Sequence, residues 1–335
     1  MKNLKDLVNP HILGIQTYQP GKPIEEVQRE LGLEKVFKLA SNESCVGPSP
    51  LAISAIQEML PRAHFYPDSS WYYPRNKLAE RLGVSPNEIL FGAGAVEILY
   101  FIAIVFLKPG DEVLAGAPSF AMYPIVTQMM GATFTPVPLR NYRLHPVDML
   151  SYVSPATKLI FLDNPNNPCG TVFTDAEFCE FMENLREDVI VVADEAYADF
   201  VTIPDFPRSL EWVKRGRYVI ILRTFSKNYG LAGIRIGYAL SSREIIQLLE
   251  KVVPPFNVSS LAQAAVLAAL DDKEHLERTV RITLEEKKFL YEVFHSLGLS
   301  FVPSEANYIL VELPGDARSF FQLLLKEGVI VRPVG

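Results

Sequence analysis

Cysteine and histidine are scarce in this sequence, and their scarcity excludes two kinds of site. The chain of 335 residues has 3 cysteines, and Cys45, Cys169 and Cys179 form neither an even set nor a Cys-x-x-Cys pair. Its 5 histidines are scattered without the spacing of metal ligands. The sequence therefore predicts neither a disulfide framework nor a metal centre, and reducing cytoplasm is the simplest setting.

A positive net charge and a long apolar run are also missing. The chain carries 32 basic and 39 acidic side chains, a net charge of −7, so no field would gather nucleic acid or an anionic membrane. The longest apolar run, "ILYFIAIVFL" at 98–107, is too short to span a bilayer, and the N-terminus lacks the apolar region of a signal peptide. We expect a soluble cytoplasmic protein without nucleic-acid or membrane partners.

What the sequence does contain is an alternation of short apolar runs and helical patterns. Strands are predicted at 88–92, 112–116, 133–139, 158–164, 189–195 and 218–224, with helices between them at 96–107, 120–130, 174–185 and 241–251. This alternation predicts an α/β fold with a mostly parallel sheet. From about residue 270 the pattern changes to a long charged helix and short strands. We expect an N-terminal arm (1–45), a large domain (46–265) and a small α+β domain (266–335).

Several predicted strands end in groups that suit a ligand, at the sheet edge where ligands bind in open α/β folds. "AGAVEILYF" places glycine before a helix, which suits a phosphate but is also an ordinary turn. Asn167 in "NPNNPCG" is either a turn residue or an amide donor. Asp194 in "VVADEAY" is either a helix N-cap or a buried carboxylate that needs a positive partner, and the phenol of Tyr197 follows it.

The stretch "TFSKNYGLAGIRIGY" adds an amine and a guanidinium after the last predicted strand. Lys227 by itself reads as a solvated loop lysine, but near a low-dielectric wall and near Arg235 its amine would lose a proton more readily. Pyridoxal 5′-phosphate requires partners of these kinds. They are the helix start that suits a phosphate, the amide of Asn167, the carboxylate of Asp194, the phenol of Tyr197 and the amine of Lys227.

These motifs resemble a known family. "NPNNPCG", "VVADEAY" and "RTFSKNYGLAGIRIGY" are similar to the fold-type I pyridoxal-phosphate aminotransferases, and "PGKPIEEVQRELGLEKVFKLASNES" resembles the histidinol-phosphate aminotransferase branch. The resemblance runs in register over almost the entire chain. It implies the pyridoxal-phosphate transferase fold, a homodimer with shared active sites, and transamination between histidinol phosphate and 2-oxoglutarate.

The resemblance also implies roles for individual residues. Lys227, Asp194 and Tyr197 would act in catalysis, with Lys227 at the cofactor's aldehyde carbon and Asp194 at the ring nitrogen. The other cofactor contacts would be made to the phenol oxygen by Asn167 and Tyr197, to the ring by Phe120, and to the phosphate by Ala95, Val96, Thr224, Arg235 and the neighbouring subunit's Tyr66. Substrate contacts would come from Tyr18, Asn42 and Arg332, although Arg332 also reads as a surface charge and Asn42 as a turn residue.

The sequence departs from the family pattern in a few places. Cys169, Phe120 and Val96 stand where threonine, tyrosine and an acidic residue are usual, and "SSWYYPRNKLAE" lacks the usual glycine. The family's arginine for the substrate α-carboxylate is expected beyond Gly335.

Three alternatives stay open: an aromatic amino-acid aminotransferase, a pyridoxal-phosphate decarboxylase or lyase, and a cofactor-sensing regulatory domain, which would need a DNA-binding module. A nicotinamide dehydrogenase is disfavoured because no Gly-x-Gly-x-x-Gly follows the first strand.

Overall fold

The structure is a computed structural model that describes residues 3–334, with one large sheet at its centre. Its strands are β1 (Phe37–Lys38), β2 (Ile89–Gly92), β3 (Glu112–Ala117), β4 (Thr133–Pro138), β5 (Thr157–Asp163), β6 (Ile190–Asp194), β7 (Val219–Thr224), β8 (Gly237–Leu240), β9 (Phe301–Val302), β10 (Leu310–Val311) and β11 (Val329–Ile330).

Helices follow most of these strands. The α-helices are α1 (Ile24–Leu31), α2 (Pro50–Met59), α3 (Tyr72–Leu82), α4 (Ala95–Phe106), α5 (Met122–Met129), α6 (Pro146–Met149), α7 (Asp175–Asn184), α8 (Ser209–Lys214), α9 (Arg243–Glu250), α10 (Ser260–Ala269), α11 (Lys273–Ser296) and α12 (Ala317–Lys326). Within the described part of the chain, none of them combines the length and the apolar character needed to cross a membrane.

The central sheet has the strand order β2-β8-β7-β6-β5-β3-β4, and all its strands except β8 run in the same direction. The prediction of a mostly parallel α/β sheet is confirmed, and each of the six predicted strands is present. Strand β8 was not predicted, because it has only four residues and follows closely on the stretch that carries Lys227 and Arg235. It runs antiparallel to β7 and returns the chain to the sheet after Lys227.

Burial explains why the central strands are apolar throughout. Every residue of β2 and β6 is buried, as is every residue of β5 except Lys158, because the sheet and the helices around it share one hydrophobic core. An apolar strand that is covered on both faces has no need of alternating polar positions. Polar side chains are therefore concentrated at the strand ends. Asp163 and Asp194 end β5 and β6 as direct neighbours in the parallel register, and Thr224 ends β7.

The C-terminal part of the chain packs with the N-terminal part. Strand β1 pairs in parallel with β11, and a small core beside this pair contains Val27, Leu325 and Ile330. Helix α10 packs against α2 and extends beyond residue 265, where the sequence analysis placed a domain boundary. The division into an arm, a large domain and a small domain stays a prediction.

The segment that lacks the family's usual glycine has a defined geometry. Trp71 adopts a left-handed φ of 53° directly before α3, and its side chain is 3% exposed. Asp68 accepts hydrogen bonds from the backbone N–H groups of Ser70 and Tyr72, which ties the segment to the start of the helix. A left-handed conformation is strained in a residue other than glycine, and here the indole ring is packed in the main hydrophobic core.

A close backbone approach joins the N-terminal segment to the loop that carries Lys227. Gly230 has a φ of +68°, and a Cβ atom there would lie 2.0 Å from the carbonyl oxygen of Gly47. Any larger residue would push residues 41–48 away from this loop. The absence of a side chain at position 230 is thus a condition for closing the N-terminal segment over it.

We therefore expect Gly230→Ala to destabilise the protein by about 2 kcal/mol, through steric overlap and the cost of a left-handed alanine. Urea unfolding measures this change. The matched control is Gly233→Ala, because Gly233 lies two residues beyond Leu231 and has open space around its Cβ position. Equal unfolding midpoints for the two variants would contradict the close approach.

Candidate active site

Lys227 lies in the loop between β7 and β8, where it faces the N-terminal segment. Its Nζ donates a hydrogen bond to the carbonyl oxygen of Ser41 at 3.1 Å and lies 5.4 Å from the centre of the Tyr197 ring. Burial lowers the pKa of Lys227 to about 8; nearby Glu43 opposes this shift and Arg235 adds to it. An amine with this pKa has a substantial neutral fraction near physiological pH, as a nucleophile requires.

Asp194 is a buried carboxylate at the end of β6. Its Oδ2 accepts a hydrogen bond from the hydroxyl of Tyr123 at 2.8 Å, and its Oδ1 accepts one from the N–H of Ala196 at 3.2 Å. Glu195 pairs with Arg223, whereas Asp194 forms no salt bridge with any residue that the structure describes. Burial raises the pKa of Asp194 to about 6. Because its side chain does not cap the short helix that follows, the N-cap interpretation does not hold.

The phenol of Tyr197 is held by two amides. Its hydroxyl oxygen accepts hydrogen bonds from the Nδ2 of Asn42 at 3.0 Å and from the Nδ2 of Asn167 at 3.4 Å. A phenol oxygen offers two acceptor sites and one hydrogen, so the hydrogen of Tyr197 remains free for a further acceptor. Burial raises the pKa of Tyr197 well above its usual value, which keeps that hydrogen in place at neutral pH.

A guanidinium group lies against the start of α4. Gly94 precedes this helix with a φ of +88°, and a Cβ atom there would lie 2.3 Å from the Nη2 of Arg235. The first N–H groups of the helix, at Ala95 and Val96, have no acceptors within the helix, and they lie at its positive end. Thr224 pairs with Gly237 beside them. Cationic, hydroxyl and N–H groups thus converge where an anion would bind.

Helix α5 contributes a residue that sequence reasoning missed. Tyr123 is fully buried between Phe161, on which its ring stacks at 4.3 Å, and Phe120, whose ring it meets edge to face at 5.7 Å. Its hydroxyl reaches Asp194, as described above. A signal was present in the motif "APSFAMYP", because a buried tyrosine needs a partner for its hydroxyl.

Asp163 is the second buried residue that was missed, and it lies beside Asp194. It is 3% exposed, and its Oδ2 accepts hydrogen bonds from the N–H of Asn167 at 2.9 Å and from the Nδ2 of Asn166 at 3.1 Å. In "LDNPNNP" only Asn167 was predicted to bind a ligand. The carboxylate at the end of the strand was the available signal, since a charged residue that ends a buried strand needs partners.

Three predicted residues lie further out. The exposed guanidinium of Arg332 donates to the hydroxyl of Tyr18 at 3.1 Å, and the phenol of Tyr18 is close enough to contribute to the raised pKa of Tyr197. This pair therefore lies at the rim of the group around Tyr197. Tyr66 is not part of that group, because its side chain is 82% exposed and its ring stacks on Phe256 at 4.6 Å.

The arrangement fits pyridoxal 5′-phosphate. Asp194 is buried and forms no ion pair among the described residues, and a protonated ring nitrogen would supply one. The free hydrogen of Tyr197 suits a phenolate oxygen, and the anion-binding groups around Arg235 suit a phosphate. Lys227 supplies the amine that an aldehyde requires. Each end of the cofactor therefore finds a complementary group in this chain.

Comparison with known proteins gives the same result. A model of the family described as "Aminotransferase class I and II" matches residues 34–335. A histidinol-phosphate aminotransferase of Moorella thermoacetica is 48% identical over 322 residues, which are 96% of this chain and 83% of that protein. One from Anaeromyxobacter sp. is 44% identical over 330 residues, which are 98% of this chain and 91% of that protein.

Solved structures agree with the sequence comparisons. The crystal structure of histidinol-phosphate aminotransferase from Sinorhizobium meliloti in complex with pyridoxal-5′-phosphate matches with a TM-score of 0.91 and 28% identity. The match covers 98% of this chain and 89% of that one. The resemblance identified in the sequence is confirmed: the chain is a pyridoxal-phosphate enzyme that belongs to the class I and II aminotransferases, in the histidinol-phosphate aminotransferase branch.

Proposed function

We propose that this protein transfers an amino group from histidinol phosphate to 2-oxoglutarate, forming imidazole acetol phosphate and glutamate in histidine biosynthesis. The observation that carries the proposal is that a buried amine, Lys227, and a buried carboxylate, Asp194, lie at the same edge of the sheet and influence each other electrostatically. The names of the relatives at 42–48% identity supply the substrate.

Several residues of this chain would hold the cofactor. The carboxylate of Asp194 would hold the proton on the ring nitrogen, and the hydroxyl of Tyr123 orients that carboxylate. Tyr197 and Asn167 would donate to the phenolate oxygen, while Arg235 and the start of α4 would bind the phosphate. When bound, pyridoxal phosphate supplies an aldehyde that condenses with amines and a protonated ring that withdraws electrons from the substrate α-carbon.

Lys227 would serve as the general base in this reaction. Once the substrate amine has replaced it, its free amine would remove the proton from the substrate α-carbon and deliver a proton to the carbon that the cofactor's aldehyde supplies. Its lowered pKa suits this work, because a base is effective when its pKa lies near the working pH. The carbonyl oxygen of Ser41 would orient the amine between these steps.

The pair of Tyr18 and Arg332 would recognise the phosphate ester of histidinol phosphate. Arginine binds phosphate with two parallel hydrogen bonds, and this guanidinium already has an oriented partner in Tyr18. Asn42 would place the N-terminal segment over the substrate, because it contacts Tyr197 on one side and Asn307 on the other.

A homodimer with shared sites and a cytoplasmic location are part of the same proposal. Two pairs of exposed aromatic rings, Tyr66 with Phe256 and Tyr72 with Tyr73, support a partner subunit, since large exposed apolar groups mark interaction surfaces. Tyr66 would then reach the phosphate of the neighbouring subunit's cofactor.

The lowered pKa of Lys227 predicts how fast the cofactor-free protein captures pyridoxal phosphate. Only the neutral amine attacks an aldehyde, so the rate constant should rise about tenfold per pH unit and level off above pH 8. Stopped-flow absorbance between pH 6 and 10 measures this profile. The same measurement with a simple primary amine in place of the protein corrects for the protons that free pyridoxal phosphate itself gains or loses in this range.

Two variants control this experiment. Lys227→Ala should not form the visible absorbance band, whereas Lys287→Met should keep the wild-type profile, because Lys287 is a buried lysine held by the carbonyl oxygen of Ser304. A wild-type profile that still rises at pH 10 would show that the amine is not activated by its surroundings.

The choice of substrate is tested by half-reactions with histidinol phosphate, phenylalanine and glutamate, followed through the absorbance of the bound cofactor. We expect histidinol phosphate to react with the highest kcat/KM among the amino donors. Arg332→Ala should lower that value about 10- to 100-fold, as the loss of a bidentate phosphate contact predicts, and leave phenylalanine unchanged.

The matched control is Arg318→Ala, because Arg318 is another arginine of the C-terminal part and lies in the first turn of α12. This variant should behave like the wild type. A wild-type preference for phenylalanine would replace the proposal with an aromatic aminotransferase, and release of carbon dioxide from an amino acid would replace it with a decarboxylase.

A further inference from the structure

Asp163 has no part in the reaction described above, although it is one of the most deeply buried charged groups in the described chain. It ends β5 directly beside Asp194. Both of its hydrogen bonds are accepted by Oδ2, and Oδ1 is buried without a partner among residues 3–334. Burying a carboxyl group with one oxygen unpaired costs free energy, so the presence of Asp163 at this position needs an explanation.

These hydrogen bonds hold the turn that carries Asn167. One comes from the backbone N–H of Asn167 itself, and the other from the side chain of Asn166. The same Asn166 amide also donates to the carbonyl oxygen of Pro118, and its Oδ1 accepts from the N–H of Cys169. The backbone of Asn167 is therefore anchored from the sheet, and its side-chain amide points to the hydroxyl of Tyr197.

The surroundings of Asp163 also limit its charge. The titratable groups that face it are Asp194 on β6, Tyr123 on α5, Cys169 in the turn, and Tyr197 and Tyr308 across the site. Burial raises the pKa of Asp163 to about 7, and the negative charge of Asp194 adds to this shift against the two hydrogen bonds. The carboxyl group can accept both bonds on Oδ2 whether or not it carries a proton, so its hold on the turn does not depend on its charge.

We propose that Asp163 is a positioning residue for the cofactor: by accepting both hydrogen bonds on Oδ2, it holds the Asn166–Asn167 turn so that the Asn167 amide donates to the cofactor's phenolate oxygen. This inference rests on the proposed function, from which it takes the role of Asn167. The inference depends on the hydrogen bonds that residue 163 accepts and not on its negative charge, and substitutions at this position separate the two. Asparagine at position 163 can accept the same two hydrogen bonds, whereas alanine or leucine cannot.

The experiment measures how the visible absorbance of the bound cofactor changes with pH. The midpoint of this change is the pH at which the nitrogen that joins Lys227 to the cofactor has lost half of its protons. Donation by Asn167 stabilises the phenolate most when that proton is absent, so Asn167→Ala should raise the midpoint. Asp163→Ala should raise it in the same direction by about one pH unit and weaken cofactor binding about tenfold, as the loss of one hydrogen bond to a charged group predicts. Asp163→Asn should match the wild type.

A double-mutant cycle tests whether Asp163 acts through Asn167. In the Asn167→Ala background, Asp163→Ala should add no further shift, because the amide that it positions is already gone. Asp163→Leu keeps the site filled and replaces Asp163→Ala if that variant does not fold. The control is Asp175→Ala, another buried aspartate, which is held by Arg208 away from this site; it should lower the melting temperature and leave the midpoint unchanged.

Each contradictory result has a separate meaning. A shift in Asn167→Ala but none in Asp163→Ala or Asp163→Leu would overturn the inference and leave the proposed function in place. A shift in Asp163→Asn equal to that in Asp163→Ala would overturn it too, because charge would then be the cause. The absence of a visible band in the wild-type protein would instead refute the cofactor assignment on which both depend.

Discussion

A buried carboxylate that forms no ion pair in the described part of the chain is the constraint on which the rest of the site depends. Asp194 ends a strand at the centre of the sheet, where a negative charge is expensive unless a positive group meets it. The chain orients this carboxylate with the hydroxyl of Tyr123 and the N–H of Ala196, but neither group neutralises it. In the proposed function the ring nitrogen of pyridoxal phosphate would be the cationic partner of this carboxylate. The stability of the holoenzyme and its chemistry would then be linked through that pair.

Residues far apart in the sequence complete the site around this carboxylate. The N-terminal segment supplies the carbonyl of Ser41 to Lys227 and the amide of Asn42 to Tyr197. Asn307, from the C-terminal part, donates to the backbone of Asn42 and holds this segment from the other side. Because one segment contacts the catalytic loop, the phenol and the C-terminal part, its position and the geometry of the site depend on one another.

Sequence reasoning predicted the parallel strands and the groups at their ends, because both follow from local patterns. Lys227, Asp194 and Asn167 follow or end apolar runs, and parallel strands bring such ends to one edge. Strand β8 escaped prediction because it is short and is stabilised by pairing with β2 and β7. The hydrogen-bond partners of Tyr123 and Asp163 could not be predicted from the sequence, because a hydrogen bond between neighbouring elements depends on strand register and helix orientation. Tyr66 shows the limit most clearly, since its proposed role requires a second subunit.

The most direct test of this account is the protonation state of the bound cofactor. Nitrogen NMR of pyridoxal phosphate labelled at the ring nitrogen reports whether that atom carries a proton. We predict a protonated ring nitrogen across neutral pH in the wild-type protein and an unprotonated one in Asp194→Ala, because removal of the carboxylate removes the charge that stabilises the proton. The same protonation state in both proteins would contradict the central role of Asp194.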